Sequence, residues 1–240
     1  MSKPNIQKVL AQLKPDFEEK RQISTPVLLS DSKGSCLKRE VSTDLESEIK
    51  FWCKGGQKTH DAVQWLRQNI RHKVRHYGKL QLYVWLGTCD LTIKSGKFTS
   101  IRSTNNDTVD YLVSKYQEII SIVNEYRDIS VTFLEIPSYS ISKWNKSRCH
   151  QNPENFREDD RLLESQVELL NEHIRSLNLT TRSPKFSLDL RRNRRVNKGK
   201  KTIYYFNYEL YKDGVHPCSS LAKLWLRRLT LLIAKDCYST

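Results

Sequence analysis

Short apolar or β-branched runs alternate with amphipathic helical patterns along this chain, and that alternation constrains its fold more than any other feature. The strand-like runs cover residues 26–30, 48–53, 80–87, 129–136 and 185–190. Between them, apolar residues recur at helical spacing. The clearest such sets are Val63, Leu66, Ile70 and Val74; Val109, Leu112, Tyr116, Ile119, Val123 and Tyr126; and Leu163, Val167, Leu170, Ile174 and Leu177. Strand and helix in alternation predict an α/β fold with a mostly parallel sheet of five strands.

The runs at 80–87 and 129–136 are nearly continuous in apolar and β-branched residues, which is typical of central strands covered on both faces. Residues 202–211 alternate like a strand, and we expect them to pair with 185–190 as a hairpin whose tip is a basic run. An apolar helical pattern from about 217 to 235 closes the chain. The hairpin is therefore predicted as an insertion before the last helix.

The length of 240 residues fits one domain, predicted here as residues 25–240, preceded by a polar, Lys-rich leader at 1–24. No stretch approaches a membrane span, and the N-terminal residues do not resemble a secretory signal. We therefore expect an intracellular protein, cytoplasmic or nuclear. The six cysteines show no CxxC pair, so we expect free thiols, with no metal and no cofactor.

The formal net charge of +14 favours polyanionic partners without distinguishing nucleic acid from an acidic membrane surface. Part of this charge is concentrated between residues 191 and 201. This run either has a role in phosphate contact or nuclear targeting or is a solvated loop that only aids solubility, and its composition does not decide between these interpretations. The candidate nucleic-acid-binding residues are Arg191, Arg192, Arg194, Arg195, Lys198, Lys200 and Lys201.

Two short segments at opposite ends of the chain carry the residues of a hydrolytic site. The run 27–29 stops at Ser30-Asp31-Ser32, which places the Ser32 hydroxyl just beyond a strand. Asp213 and His216 lie three residues apart before the last helix, so one tight turn can hold both. From there the carboxylate can orient the imidazole, and the imidazole can face the serine.

Other strand ends supply small residues to the same edge. Gly55-Gly56 follows the second strand-like run, and Gly87-Thr88-Cys89-Asp90 follows the third. In an open α/β sheet the carboxyl ends of the strands form the ligand crevice. Four separate segments are therefore expected to converge there.

With these blocks in this order, the chain resembles the SGNH/GDSL hydrolase superfamily. The family's Gly-Asp-Ser block corresponds to Ser30-Asp31-Ser32, its glycine block to Gly56, its Gly-x-Asn-Asp block to Gly87 through Asp90, and its Asp-x-x-His block to Asp213 through His216. The resemblance implies a flavodoxin-like three-layer α/β/α sandwich. It also implies an esterase of small or acylated substrates with Ser32, Asp213 and His216 as its catalytic triad, and with Asp31, Gly87 and Asp90 in support.

In the mechanism that this resemblance implies, the backbone N–H groups of Ser32 and Gly56 donate hydrogen bonds to the developing oxyanion. Cys89 stands where the family has an Asn whose amide is a third donor, and a thiol donates poorly. The sequence leaves three outcomes open: slow hydrolysis, use of another donor such as Thr88, or loss of catalysis. Ser30 in place of the family's Gly is a second departure.

Each of these residues also has a structural explanation. Ser32 can cap the helix that follows it, and Asp213 and His216 can simply shape a turn. Tyr139 and Trp144, in the long segment from 136 to 158, either line an acyl pocket or anchor the loop. The alternative function is a catalytically weak module with this fold that binds nucleic acid or a protein through its basic surface. Transfer of the acyl group to an acceptor other than water also remains open.

Overall fold

The computed structural model describes residues 3–13, 20–179, 182–196 and 201–239. The described residues form the strands β1 (Arg21–Gln22), β2 (Thr25–Ser30), β3 (Lys50–Cys53), β4 (Leu80–Trp85), β5 (Thr92–Ser95), β6 (Phe98–Ile101), β7 (Ile129–Phe133), β8 (Arg191–Val196), β9 (Lys201–Phe206) and β10 (Tyr238–Ser239). They also form the helices α1 (Lys3–Gln12), α2 (Ser32–Lys38), α3 (Asp44–Ser47), α4 (Thr59–Tyr77), α5 (Thr88–Leu91), α6 (Asp107–Asn124), α7 (Ile141–Ser147), α8 (Arg157–Leu177), α9 (Phe186–Leu190) and α10 (Ser219–Asp236). Two 3-10 helices cover Pro153–Phe156 and Tyr208–Leu210.

A parallel sheet of four strands, in the order β3–β2–β4–β7, forms the centre of the fold. β2 lies between β3 and β4, so Ser30 at its end aligns with Cys53 on one side and with Trp85 on the other. The carboxyl ends of these three neighbouring strands therefore lie together, and the segments that follow them share one edge of the sheet.

Helices cover both faces of this sheet. Trp85 of β4 packs against Trp225 of α10, with 5.8 Å between ring centroids. Phe133 of β7 packs against Tyr116 of α6, at 4.9 Å. Helices α4, α6 and α8 pack side by side, while α1, α2 and α3 contact α10. The predicted three-layer α/β/α sandwich with a parallel sheet is confirmed.

The sheet has four strands in place of the predicted five, because residues 186–190 form α9. Phe186, Asp189 and Leu190 are buried whereas Leu188 is about half exposed, which is the burial period of a helix. The buried Asp189 is held by two hydrogen bonds from the guanidinium of Arg228 in α10. The expectation that 185–190 is a strand was therefore wrong.

The predicted basic hairpin is present, but its strands differ from the prediction. The basic run itself forms β8, which pairs antiparallel with β9, so Arg191 lies opposite Phe206. Residues 197–200, which belong to the predicted tip, lie outside the described residues.

The segment between β7 and α8 carries the short helix α7 and a 3-10 turn. β5 and β6 form a hairpin that the periodicity of the sequence does not predict. In the N-terminal segment, Ile6 of α1 is buried and β1 pairs with β10. Within the described ranges, no helix has the length and apolar character needed to cross a membrane.

Candidate active site

Ser32 begins α2, directly after β2 and its single connecting residue Asp31. The Asp31 side chain caps the helix by accepting a hydrogen bond of 2.8 Å from the backbone N–H of Lys33. This cap is the local reason why the chain turns sharply from strand to helix here. It leaves the Ser32 hydroxyl at the carboxyl edge of the sheet.

Ser32, His216 and Asp213 form one hydrogen-bonded chain. The Ser32 Oγ lies 2.9 Å from His216 Nε2, although 184 positions separate the two residues. On the other side of the ring, His216 Nδ1 lies 2.8 Å from Asp213 Oδ2. When Nδ1 carries a proton and donates it to Asp213, Nε2 is left as an acceptor for the serine hydroxyl. This is the geometry that general-base activation of a serine requires.

A tight turn holds Asp213 and His216 together. The second carboxylate oxygen of Asp213 accepts hydrogen bonds from the backbone N–H groups of Val215 (3.1 Å) and His216 (2.8 Å). Gly214 between them has φ +92°, and a Cβ there would lie 2.8 Å from the carbonyl oxygen of Ser140 and from the backbone nitrogen of Trp144. Glycine is therefore needed both for the backbone angle and for the close contact with α7.

The surroundings of Asp213 favour its charged form. Burial by itself would raise the pKa of this carboxyl group, but the hydrogen bonds from the side chain and backbone of His216 and from Val215 outweigh it, so the pKa lies below the usual value. The Arg148 guanidinium also lies 3.6 Å from the carboxylate and stacks over the Trp144 ring at 4.3 Å. A charged Asp213 is the state that orients and stabilises a protonated imidazole.

A buried ion pair lies beneath the site. The Lys33 ammonium is 2.5 Å from Asp31 Oδ2 and 2.5 Å from the Thr88 hydroxyl, and Lys33 is only 1% exposed. Asp31 is equally buried, so each charge compensates the other away from water. The pair connects the β2–α2 turn to the start of α5 and was not anticipated from the sequence.

Ser30 fits where the family has glycine because its hydroxyl donates to the Trp85 carbonyl at 3.0 Å. Space for it comes from Gly34 in α2, where a Cβ would lie 2.7 Å from the Ser30 Cβ and 2.5 Å from the Cys53 Sγ. The departure at Ser30 is thus accommodated within the described packing.

Gly56 lies in the turn that joins β3 to α4, with φ +71°. Asp90 fixes the helix end of this turn, because its carboxylate accepts hydrogen bonds from the Thr59 backbone N–H (3.1 Å) and hydroxyl (2.9 Å). Burial raises the pKa of Asp90 to about 6, even though both hydrogen bonds from Thr59 lower it. Asp90 is therefore a support for the glycine turn. Among the backbone hydrogen bonds of the described residues, none is donated by Ser32 or Gly56.

Gly87 and Cys89 bracket the first residue of α5. Gly87 has φ +115°, and a Cβ there would lie 2.5 Å from Ile136 and 3.0 Å from the Tyr116 hydroxyl. The Cys89 Sγ lies 3.8 Å from Asp31 Oδ2, so the thiol hydrogen is directed to that carboxylate. Burial raises the pKa of Cys89 to about 12, which keeps the thiol protonated at neutral pH.

All of these segments open into one cavity of about 500 Å³. Ser32 and His216 line it together with Gly55, Gly56, Thr88 and Cys89. The β5–β6 hairpin contributes a further side, which includes Ile93 and Lys94. Apolar and aromatic side chains complete the lining, namely Tyr139, Ile141, Trp144 and Val215.

Trp144 lines the cavity and also helps to hold α7 to the β5–β6 hairpin. The indole N–H donates to the Lys97 carbonyl at 3.1 Å, and the ring centroid lies 5.9 Å from that of His216. The adjacent Asn145 donates to and accepts from the backbone of Thr99 in β6. The only sequence signal for this hairpin is Gly96 between two β-rich stretches. No sequence pattern indicates a role for Arg148, because only the tertiary structure brings it close to Asp213.

None of the basic candidate residues whose side chains the structure describes lines this cavity. Arg191 and Arg194 are exposed on β8, and the Arg191 guanidinium lies 4.2 Å from the Tyr204 ring centroid. Arg192 is on the same strand, and the backbones of Arg195 and Lys201 belong to the β8–β9 pair. Lys198 and Lys200 lie outside the described residues.

Solved structures that share this fold include proteins described as a lipase, an acylhydrolase and an acetyltransferase. A GDSL-like lipase from Bacteroides thetaiotaomicron matches with a TM-score of 0.57 and 13% identity, over 98% of each chain. A putative acylhydrolase from Bacteroides fragilis matches with a TM-score of 0.54 and 15% identity, over 98% of each chain. The catalytic domain of peptidoglycan O-acetyltransferase A from Streptococcus pneumoniae matches with a TM-score of 0.51 and 12% identity, over 90% of this chain and 97% of that one.

No model of a protein family and no curated protein sequence matches the chain. At these identities the structural likeness establishes the fold, and the expected resemblance to the SGNH/GDSL hydrolase fold is confirmed at that level.

Proposed function

We propose that this protein is a serine esterase or acyl hydrolase that acts through Ser32, His216 and Asp213. The observation that carries the proposal is the continuous hydrogen-bonded chain from the Ser32 hydroxyl through His216 to Asp213, at 2.9 and 2.8 Å, inside a cavity. Capping of α2 does not explain this chain, because Asp31 already caps that helix.

In the proposed reaction, Ser32 Oγ attacks the acyl carbon while His216 Nε2 takes the hydroxyl proton. The tetrahedral intermediate collapses with cleavage of the ester C–O bond, and the imidazolium gives its proton to the leaving alkoxide. Water then attacks the acyl-serine with His216 again as base, which releases the acid and restores the serine. Asp213 keeps the imidazole in its orientation and stabilises its positive charge.

The backbone N–H groups of Ser32 and Gly56 are the donors proposed for the oxyanion. Cys89 is a weak third donor, since its hydrogen is directed to Asp31. We therefore propose slow turnover. The same residues serve transfer to an acceptor other than water, which is the activity named for the Streptococcus pneumoniae acetyltransferase.

Hydrolysis of an activated aryl acetate tests this proposal. Ser32→Ala and His216→Ala should each lower kcat/KM to near the background rate, because they remove the nucleophile and its base. Ser35→Ala, one turn further along α2, is the matched control and should leave the rate unchanged. Equal rates for Ser32→Ala and the parent protein would overturn the proposal.

A second candidate function is favoured by the β8–β9 hairpin. Arg191 and Arg194 are exposed on one strand, and Ile203, Tyr204 and Tyr205 are about half exposed on the other. Arginines interleaved with exposed aromatic rings are suited to the phosphates and bases of single-stranded nucleic acid. The candidate is a nucleic-acid-binding module on the same fold.

Binding of a fluorescent oligonucleotide at increasing salt tests this second function. Binding through phosphates should weaken steeply with salt, and Arg191→Ala combined with Arg194→Ala should reduce the slope of log K against log salt by about one to two. Binding that is insensitive to salt or to these substitutions excludes this role for the hairpin.

A further inference from the structure

The cavity beside Ser32 carries positive charge that the hydrolytic chemistry does not use. Its lining includes Lys58, Lys94 and Arg102, and no carboxylate among the described residues lines it. Lys58 follows the Gly55-Gly56 turn, Lys94 lies on β5, and Arg102 follows β6. The three cations thus reach the cavity from two segments, the turn between β3 and α4 and the β5–β6 hairpin with its flanking residue.

The three cations form no ion pair with the described residues, and the Asp90 carboxylate, whose pKa Lys58 and Arg102 lower, is buried and does not line the cavity. None of the ion pairs formed within the described ranges involves Lys58, Lys94 or Arg102. Arg102 donates from Nε to the Asp90 carbonyl and from Nη2 to the Thr92 carbonyl, which fixes its guanidinium at the rim and leaves further N–H groups for a ligand. Lys94 lies 5.2 Å from the Trp144 ring centroid, over the aromatic part of the lining.

The overall basic charge of the chain does not by itself account for this arrangement. A second cavity of similar size, about 510 Å³, lies against α4 and α6 and is lined by Arg67 together with Glu118 and Glu125. Cations and carboxylates are mixed there. Lys33, the other lysine near Ser32, is already paired with Asp31. The second cavity therefore lacks the excess of one sign that the cavity with Ser32 and His216 shows.

We propose that the substrates of this site are esters that carry a negative charge, such as a carboxylate, on the group that occupies the cavity. This inference rests on the proposed function. Lys58, Lys94 and Arg102 hold the anionic group, and the apolar side chains Ile141, Trp144 and Val215 contact the rest of the ester. Attraction of the anion to the rim raises both its local concentration and its residence near Ser32.

A matched pair of aryl acetates tests the proposal: para-acetoxybenzoate, which is an anion, and its uncharged methyl ester. The quantity measured is the ratio of kcat/KM for the anion to kcat/KM for the methyl ester. Replacing two rim lysines together, as Lys58→Met with Lys94→Met, should lower this ratio about five- to tenfold, since exposed charge pairs contribute modestly. Raising the salt concentration should lower it in the parent protein as well.

Lys79→Met is the control for net charge. Lys79 is an exposed lysine that precedes β4, at the opposite end of the strand from the site. Its substitution should leave the ratio unchanged. A ratio that Lys58→Met with Lys94→Met does not change, or that Lys79→Met lowers equally, would overturn the proposal.

Binding to the Ser32→Ala variant separates this inference from the proposed function. Ligand-observed NMR measures the Kd of each ester for a protein that lacks the nucleophile. Tighter binding of the anion by about fivefold or more, lost in the rim-lysine double variant, supports the inference even if the parent protein proves inactive. Equal Kd values for the two esters would overturn it even if Ser32-dependent hydrolysis is found.

Discussion

Cys89 is the residue whose side chain most limits the proposed chemistry. Its thiol lines the cavity but directs its hydrogen to Asp31, and burial keeps it protonated with a pKa of about 12. An amide at this position would present a stronger donor to the oxyanion. Loss of one such donor costs about 10²- to 10³-fold in turnover in well-studied hydrolases.

We predict that Cys89→Asn raises esterase activity at least several-fold, because the Asn amide donates to the developing negative charge. The measurement is kcat on an activated aryl ester. Cys149→Asn is the control, since Cys149 is exposed and its φ of 59° suits Asn. If Cys89→Asn is no faster than the parent protein, the assignment of this position to the oxyanion site is wrong.

Asp90 gives a prediction on pH. Burial raises its pKa in the folded protein to about 6 from the ordinary value of 3.8, so the folded protein holds this proton more tightly than the unfolded chain does. The contribution of Asp90 to stability is therefore present below the lower value and is lost as the pH rises through about 6. Relative to Asp90→Asn, the parent protein should lose about 2–3 kcal/mol between about pH 4 and pH 7.

Denaturant unfolding of both proteins across this pH range measures that difference. As the pH rises, the free energy of unfolding of the parent protein should fall relative to that of Asp90→Asn. Parallel pH dependence of the two proteins would show that Asp90 is not the group responsible.

At the scale of elements, the cavity depends on how the β5–β6 hairpin is held to α7. Asn145 in α7 is 0% exposed and acts like a strand partner: it accepts from the Thr99 backbone N–H at 2.9 Å and donates to the Thr99 carbonyl at 2.8 Å. The Trp144 indole adds a third bond to the same hairpin. These contacts place Ile93 and Lys94 over the cavity.

We predict that Asn145→Ala lowers the free energy of unfolding by about 2–3 kcal/mol, because it leaves two buried backbone groups without partners. The KM for an ester should rise more than kcat falls, since the hairpin forms part of the binding cavity and not of the triad. Denaturant unfolding and steady-state kinetics measure these effects. Lys146→Ala, at an exposed position of the same helix, is the control. An unchanged KM would show that the hairpin does not shape the substrate site.

The elements that sequence periodicity predicted are those whose burial follows from their own pattern. The structure has strands close to the runs predicted at 26–30 and 80–87, and it has helices around Val63 and Leu163. The prediction for residues 185–190 was wrong because a short apolar run fits a strand or a helix equally well. Its helical form buries Asp189, whose carboxylate is paired with the distant Arg228. The roles of Lys33 and Arg148 could not be predicted, because each depends on contacts made only after folding.

At the scale of the whole molecule, the site is assembled from the two ends of the chain. Ser32 begins the helix that follows β2, the first strand of the central sheet along the chain, and Asp213 and His216 come from the turn before α10. The sheet order places β3 and β4 beside β2, so the Gly56 turn and Cys89 reach the same edge. The N-terminal and C-terminal elements also contact each other, since α1 packs against α10 and β1 pairs with β10. The contact between Ser32 and His216 therefore depends on the folded arrangement of both ends of the chain.

The central claim is that Ser32 is a nucleophile activated by His216. Incubation with a fluorophosphonate, followed by mass spectrometry of the intact protein and its peptides, tests it most directly: an activated serine oxygen forms a bond to phosphorus as fluoride leaves. We predict one phosphonyl group per chain, on Ser32, lost in Ser32→Ala, strongly slowed in His216→Ala and retained in Ser35→Ala. No labelling of the folded protein, or labelling that persists in Ser32→Ala, would contradict the claim.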